Sequence, residues 1–294
     1  MDIEILVEGI GHAEGPVVLP DGRCTFCEGY EGRLGVWSPS GGRGVYAKLG
    51  GAPNGAVLGA DGCVYVANNG GAIGPYRSSD FGPGSIQKVW PNGTVETVVS
   101  SVAGHPLNMP NDLVFAADGR LYFTDPGIWD AEARPDDGYV YAVSPDGAVE
   151  VIASVGKAYP NGIAAEPDGS MVWVESYTRR VRRWHPNGDI EEVHQFADER
   201  HVPDGLAIAE NGDLYIATLS SGGFHILSPD GSRVELVDLG GTTLSNCVFE
   251  GGDLFLTDLG SQAGVTQEAV FFGRLLRCRP GVTGMAMFRG VIGA

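Results

Sequence analysis

Apolar residues in this chain come in short runs bounded by Asp, Gly, Pro and Asn. In residues 108–125 (NMPNDLVFAADGRLYFTD) a polar corner of Met109, Pro110, Asn111 and Asp112 leads into two apolar runs, 113–115 and 121–123. These bracket an Ala117-Asp118-Gly119-Arg120 turn. Short β-rich runs on either side of such a turn predict an antiparallel hairpin.

The same pattern recurs. Aligned on Asn111 and Asp118, seven apart, it pairs Glu14 with Asp21 (EGPVVLPDGRCTF), Asn54 with Asp61 (NGAVLGADGCVYV), Asn161 with Asp168 (NGIAAEPDGSMVWV) and Asp204 with Asn211 (DGLAIAENGDLYIA). A sixth copy starts at Asn246 (NCVFEGGDLFLTD), with a turn two residues shorter. Successive anchors lie between 40 residues (Glu14 to Asn54) and 57 residues (Asn54 to Asn111) apart. Each copy is followed by a second turn, such as Pro91-Asn92-Gly93, Pro145-Asp146-Gly147 or Pro229-Asp230-Gly231, with an alternating strand after most of them. Each repeat therefore holds four strands, and six repeats at this period predict an all-β fold, a six-bladed β-propeller of four-stranded blades. Residues 1–294 are expected to form one domain. Residues 3–7 are placed to pair with the last blade and close the ring, with residues 285–288 as the other candidate for its outermost strand.

In a propeller the first strand of every blade lines the central channel, so the six anchors form a ring at one of its mouths. The long loops 68–84, 125–138 and 258–268 follow second strands and gather over that ring, where function is expected. The scattered Gly 46 and Pro 18 suit many tight turns and, with the period-two runs, exclude a helical solenoid.

Charge narrows the partners. Lys+Arg 19 against Asp+Glu 37 leaves a net −18, which argues against a nucleic-acid backbone or an anionic membrane surface. No apolar run approaches the ~20 residues that span a bilayer, and the opening MDIEILVEGIGHAEG lacks the basic region of a signal peptide. Five cysteines read as the reduced thiols of a cytoplasmic protein. Cys24 and Cys27 are spaced CxxC, but alternation puts them on opposite faces of a strand, which disfavours a zinc or redox role.

Turn preference alone explains Asn54 and Asn246. It explains Glu14 poorly, because Glu is not a turn former. Glu14, Asn161 and Asp204 converging on one mouth offer only oxygen donors, the set preferred by a hard divalent cation such as Ca²⁺, Mg²⁺ or Mn²⁺.

EGPVVLPDG, MPND followed by DGRLYFTDP, PNGIAAEPDG and VPDGLAIAENGDLYIA resemble the signature segments of the gluconolactonase, regucalcin (senescence marker protein) and luciferin-regenerating-enzyme family, over nearly the whole chain. The resemblance implies one divalent metal in the channel mouth, calcium first and zinc, manganese or magnesium as alternatives, and hydrolysis of a small lactone or ester. By motif position it makes Glu14, Asn161 and Asp204 the metal ligands, and Asn111 a residue that contacts substrate or supports the metal's water. Sugar-lactonase members can carry an arginine two residues before that asparagine, touching the sugar hydroxyls. This chain has Met109 in that substrate-binding position, a departure that weakens a sugar substrate more than lactonase chemistry.

The ligand set implies a polarised ester carbonyl and a stabilised oxyanion, with Asp204 as general base for the attacking water. A non-catalytic metal-binding propeller serving as a binding module is the competing class, and an esterase or phosphotriesterase acting on a more hydrophobic substrate is a third. No oligomeric state follows from the pattern. Ser220-Ser221-Gly222-Gly223 is no nucleophile elbow. His12 and His201 lie two or three residues before an anchor, where a solvated loop is the plainer expectation. Tyr76, Phe81, Trp129 and Tyr177 fall on mouth loops as candidate pocket walls, and Glu28, Asp125, Glu175 and Asp258 end second strands as candidate supports of the site.

Overall fold

The computed structural model describes residues 1–260, 270 and 272–293. Its six four-stranded sheets are the six repeats. The first strands, Ala13–Val18, Pro53–Leu58, Leu113–Phe115, Pro160–Ala165, Pro203–Ile208 and Leu244–Glu250, pack side by side in a closed ring around the channel. Blade 1, which carries Glu14, thus stands opposite blade 4, which carries Asn161. Among the described residues the only helical element is a 3₁₀ turn at Gly29–Glu31, and no helix is long and apolar enough to cross a membrane.

Burial falls from the channel outward, as the residue pattern requires. Innermost strands such as Pro160–Ala165 and second strands such as Met171–Glu175 are buried throughout, whereas the outer strand Ile190–Gln195 is mostly exposed. Strands covered on both faces need continuous small and apolar residues, and rim strands need only one apolar face. Cys24 and Cys27 pack into separate apolar clusters on the two faces of one strand, and all five cysteines are buried and free.

The ring is closed by the N-terminus. Ile3–Ile10 pairs antiparallel with Gly273–Cys278 as the outermost strand of the sixth blade, so this position belongs to the N-terminal segment rather than to residues 285–288. The C-terminal segment instead crosses the far mouth of the channel. Thr283, Met285, Gly290 and Gly293 form backbone hydrogen bonds of 2.9 Å to Glu210, Ile208, Ala60 and Pro145. Phe288 packs into the core beneath the ring.

Glycines 15, 55, 162 and 205, each directly after an anchor, serve close packing. A Cβ at Gly162 would overlap the Asp204 carbonyl oxygen of the next blade, and one at Gly55 would lie 2.7 Å from the Asn111 carbonyl oxygen. The first strands approach this closely because nothing but hydrogen fits between them. Gly162→Ala is therefore expected to destabilise the protein by about 1–3 kcal/mol through overpacking. At ~2–4 °C per kcal/mol for a chain of this size, calorimetry will read a melting point lower by several degrees. An unchanged melting point would show that the strands have slack to give.

Candidate functional site

The anchors sit where the first strands depart from their ladders. Register shifts fall between Glu14 and Val17, Pro53 and Ala56, Pro160 and Ile163, Pro203 and Leu206, and Leu244 and Asn246. A bulge frees one residue from pairing and re-aims its side chain. Asn54, Asn161 and Asp204 lie inside these shifts, Glu14 and Asn246 are the paired residues at the edge of theirs, and Asn111 just precedes its strand. The result is a ring of buried polar side chains, with Glu14 3%, Asn161 5% and Asp204 6% exposed.

Glu14, Asn54, Asn111, Asn161 and Asp204 form the floor of one cavity of about 340 Å³, which opens on the loop side of the ring. The structure thus brings together four of the five site residues expected from sequence. Met109, the fifth, is half-buried with its backbone N–H donating to Asp125 at 2.6 Å, and it is outside the set of residues that line the cavity.

Burial dominates the electrostatics. It raises the Glu14 carboxyl well above its usual range, and the charges of Asp204 and Asp112 raise it further, against hydrogen bonds from the Gly15 N–H and the Asn246 side chain. Asp204 is raised in the same way by burial and then by Asp112, opposed by a hydrogen bond with Asn161. Asp112 is pushed up to about 6 by burial, against hydrogen bonds from the Leu113 and Ile163 N–H groups and the Asn246 side chain.

Three carboxyl groups repelling one another inside a channel call for a counter-charge. The donor chemistry fits a hard cation. Asn161 Nδ2 donates to Ser176 Oγ at 3.1 Å, which leaves its carbonyl oxygen for a ligand, and Asn54 Oδ1 is buried without a hydrogen-bond partner. Among the described residues no group of three or more His, Cys, Asp or Glu is gathered for a metal. The donor set here is two carboxylates and an amide.

Asp112 was missed at the level of sequence. Its signal is that the third repeat alone follows its anchor with Asp, where four others have Gly and one has Cys. Asn246 is also more than a turn residue, because its side chain hydrogen-bonds both Glu14 and Asp112.

Two of the four acids ending second strands act on backbone. Asp125 accepts the Asn108 and Met109 N–H groups at 2.9 and 2.6 Å, and Asp258 accepts that of Thr243 at 2.8 Å. Both hold the approach to the first strand of their own blade. Glu28 is taken up by Arg33 and Arg43, at 2.8 and 2.5 Å, and Glu175 by Thr178 at 2.6 Å. Asp125 fixes the corner that leads to Asn111, and Asp258 holds Thr243, which itself lines the cavity.

His12 corrects the loop expectation, since it lines the cavity and burial lowers its pKa to about 4. His201 does not line it and stands 4.7 Å from the His225 ring. Trp129 also lines the cavity, Tyr76 and Tyr177 brace its walls from behind, and Phe81 is exposed. Tyr30 and Tyr159 were missed as wall residues. Tyr159 hydrogen-bonds the Asn111 side chain. Of the long loops, residues 261–268 of the 258–268 loop lie outside the described residues.

Comparison with known proteins bears on the fold and the family. The gluconolactonase of Zymomonas mobilis is 29% identical over 293 aligned residues, covering 87% of this chain and 78% of that protein. Among solved structures, luciferin-regenerating enzyme superposes with a TM-score of 0.78 at 19% identity, covering 99% of both chains. A calcium-binding protein, regucalcin, from Agrobacterium tumefaciens does so at 0.77 and 18% identity, covering 99% of this chain and 97% of its own. Residues 12–259 match the SMP-30/Gluconolactonase/LRE-like region, and the chain belongs to that family.

Proposed function

We propose that this chain is a metal-dependent lactonase whose site is the floor of the 340 Å³ cavity. The observation that carries this reading is the buried convergence of Glu14, Asn161 and Asp204 at one mouth of the channel, in a chain related to a gluconolactonase. Glu14, Asn161 and Asp204 would hold one divalent cation, with calcium favoured by the all-oxygen donor set and by the calcium-binding regucalcin neighbour. When bound, the cation supplies Lewis acidity that polarises the ester carbonyl and offsets negative charge developing on its oxygen.

The chain's own groups do the rest. The Asp204 carboxylate takes a proton from water as the water oxygen bonds to the carbonyl carbon. The ring C–O bond then breaks, and the same proton goes to the departing alkoxide, giving a hydroxy acid. Asn111, held by Tyr159 and by the Asp125-braced corner, orients the substrate or the attacking water. The aromatic walls exclude bulk water, which strengthens each of these contacts.

The test is a panel of γ- and δ-lactones and aryl esters assayed with Ca²⁺, Mn²⁺ or Zn²⁺. Turnover of at least one lactone in the ordinary range of about 1–10³ s⁻¹ is expected. Tight cation binding with no turnover of any member would make the protein a non-catalytic binding module instead.

A further inference from the structure

Above its polar floor the cavity has two aromatic walls, one on each side of the channel. His12 and Tyr30 come from blade 1, with their rings 5.6 Å apart. Tyr30 is backed by Tyr76 at 4.7 Å, whose hydroxyl donates to the Tyr30 carbonyl at 2.8 Å. On the far side Trp129 meets Tyr159 edge-on at 4.8 Å, and Tyr177 braces both at 5.1 and 4.9 Å. Ile73, Pro75, Leu219 and Leu259 add apolar lining, and Asn69, Ser220 and Thr243 are polar members of it outside the floor. No Lys or Arg lines the cavity among the described residues, and the sequence of 261–269 contains neither.

Two backbone outliers lie in these walls. His12 at φ +55° and Tyr159 at φ +58° are in the left-handed region, which costs a bulky L-residue roughly 1–2 kcal/mol. Each lies two residues before a proposed cation ligand, Glu14 or Asn161, and both rings reach the same cavity from opposite blades. The strain recurs at one register position in two blades, and in both the strained residue lines the cavity.

The chemistry of such a site selects its substrate. Above the floor a polyhydroxylated lactone would meet π-faces and aliphatic carbons over most of the walls, with Asn69, Ser220 and Thr243 to replace only part of its water, whereas an apolar group gives up no hydrogen bonds on entering. An anionic substrate would find carboxylates and no cationic side chain. Resting on the lactonase reading, we infer that the site takes a neutral lactone bearing an apolar, ring-sized substituent. The substituent lies between the His12/Tyr30 and Trp129/Tyr159 walls, and the ester carbonyl sits on the floor.

Non-hydrolysable lactams test this independently of turnover. With the full-length, calcium-supplemented protein, calorimetry should find 3,4-dihydro-2-quinolinone bound at least about tenfold more tightly than glucono-δ-lactam. Trp129→Ala should weaken the aryl lactam about 3- to 10-fold and leave the sugar lactam unchanged. Ile73→Ala serves the same purpose should the tryptophan variant fail to fold. Equal or tighter binding of the sugar lactam, or equal weakening of both, overturns the inference. Parallel assays of dihydrocoumarin and glucono-δ-lactone separate the two readings. Hydrolysis with a sugar preference keeps the lactonase and removes the apolar specificity. Preferential aryl binding without hydrolysis of either lactone does the reverse.

Discussion

Asp204→Asn is expected to leave the propeller folded and lower kcat by about 10²–10⁴, the range for loss of a general base. The substitution keeps size and shape at a residue 6% exposed on a first strand packed on both sides. In the proposed mechanism it removes the carboxylate that would accept the water proton and half of the charge that the two carboxylate donors would offer a cation. A fall of that size corresponds to about 2.7–5.4 kcal/mol in the barrier. The effect on stability should have the opposite sign in the cation-free protein. Burial and the Asp112 charge hold the Asp204 carboxyl well above its usual pKa, so the ionised group is a cost to the fold at neutral pH, and the neutral amide relieves it. Kinetics, cation affinity by calorimetry and a thermal melt on one preparation separate these effects. Activity within tenfold of the parent would remove Asp204 from the chemistry.

Cation removal should have the second large effect. Chelation is expected to reduce lactone hydrolysis to the uncatalysed background, and a divalent ion should restore it. It should also expose the repulsion among the three buried acids. Glu14, Asp204 and Asp112 all have folded-state pKa values raised above the ordinary carboxylate range, Asp112 to about 6 from 3.8. A raised folded pKa gives stability that is fully present below the unfolded pKa and lost as pH rises through the folded one. The chelated protein should therefore be most stable near pH 4 with respect to these groups and lose stability through pH 6 and above. Asp112 alone accounts for about 3 kcal/mol of that loss. A cation at a hundred times its Kd adds about 2.7 kcal/mol at neutral pH and flattens the slope. Melting curves across pH 4.5–8, with chelator and with calcium, would sink the idea if the two sets coincide or if the chelated protein gains stability as pH rises.

The repeat, the blade count and the ring of anchors were legible because each depends on local chemistry. A turn such as Pro-Asp-Gly and a short alternating run report on their own few residues, and repetition of the same offset six times multiplies a weak signal. Glu14 stood out for the same reason, as an acid in register with turn formers. The strand that closes the last blade was not decided locally, because residues 3–7 and 285–288 have similar patterns and only the hydrogen-bond partners of Gly273–Cys278 distinguish them.

By itself, then, the sequence determined a six-bladed propeller and a polar ring containing Glu14, Asn111, Asn161 and Asp204. Tertiary structure decided what surrounds that ring. Asp112 and Asn246 become part of the charge network because the ring closes tightly enough for blades 3 and 6 to hydrogen-bond across the channel. His12 and Tyr159 become facing walls because blades 1 and 4 stand across one channel. Contacts between residues well over a hundred positions apart leave no periodic trace in a chain, and the packing of the blades brings them together.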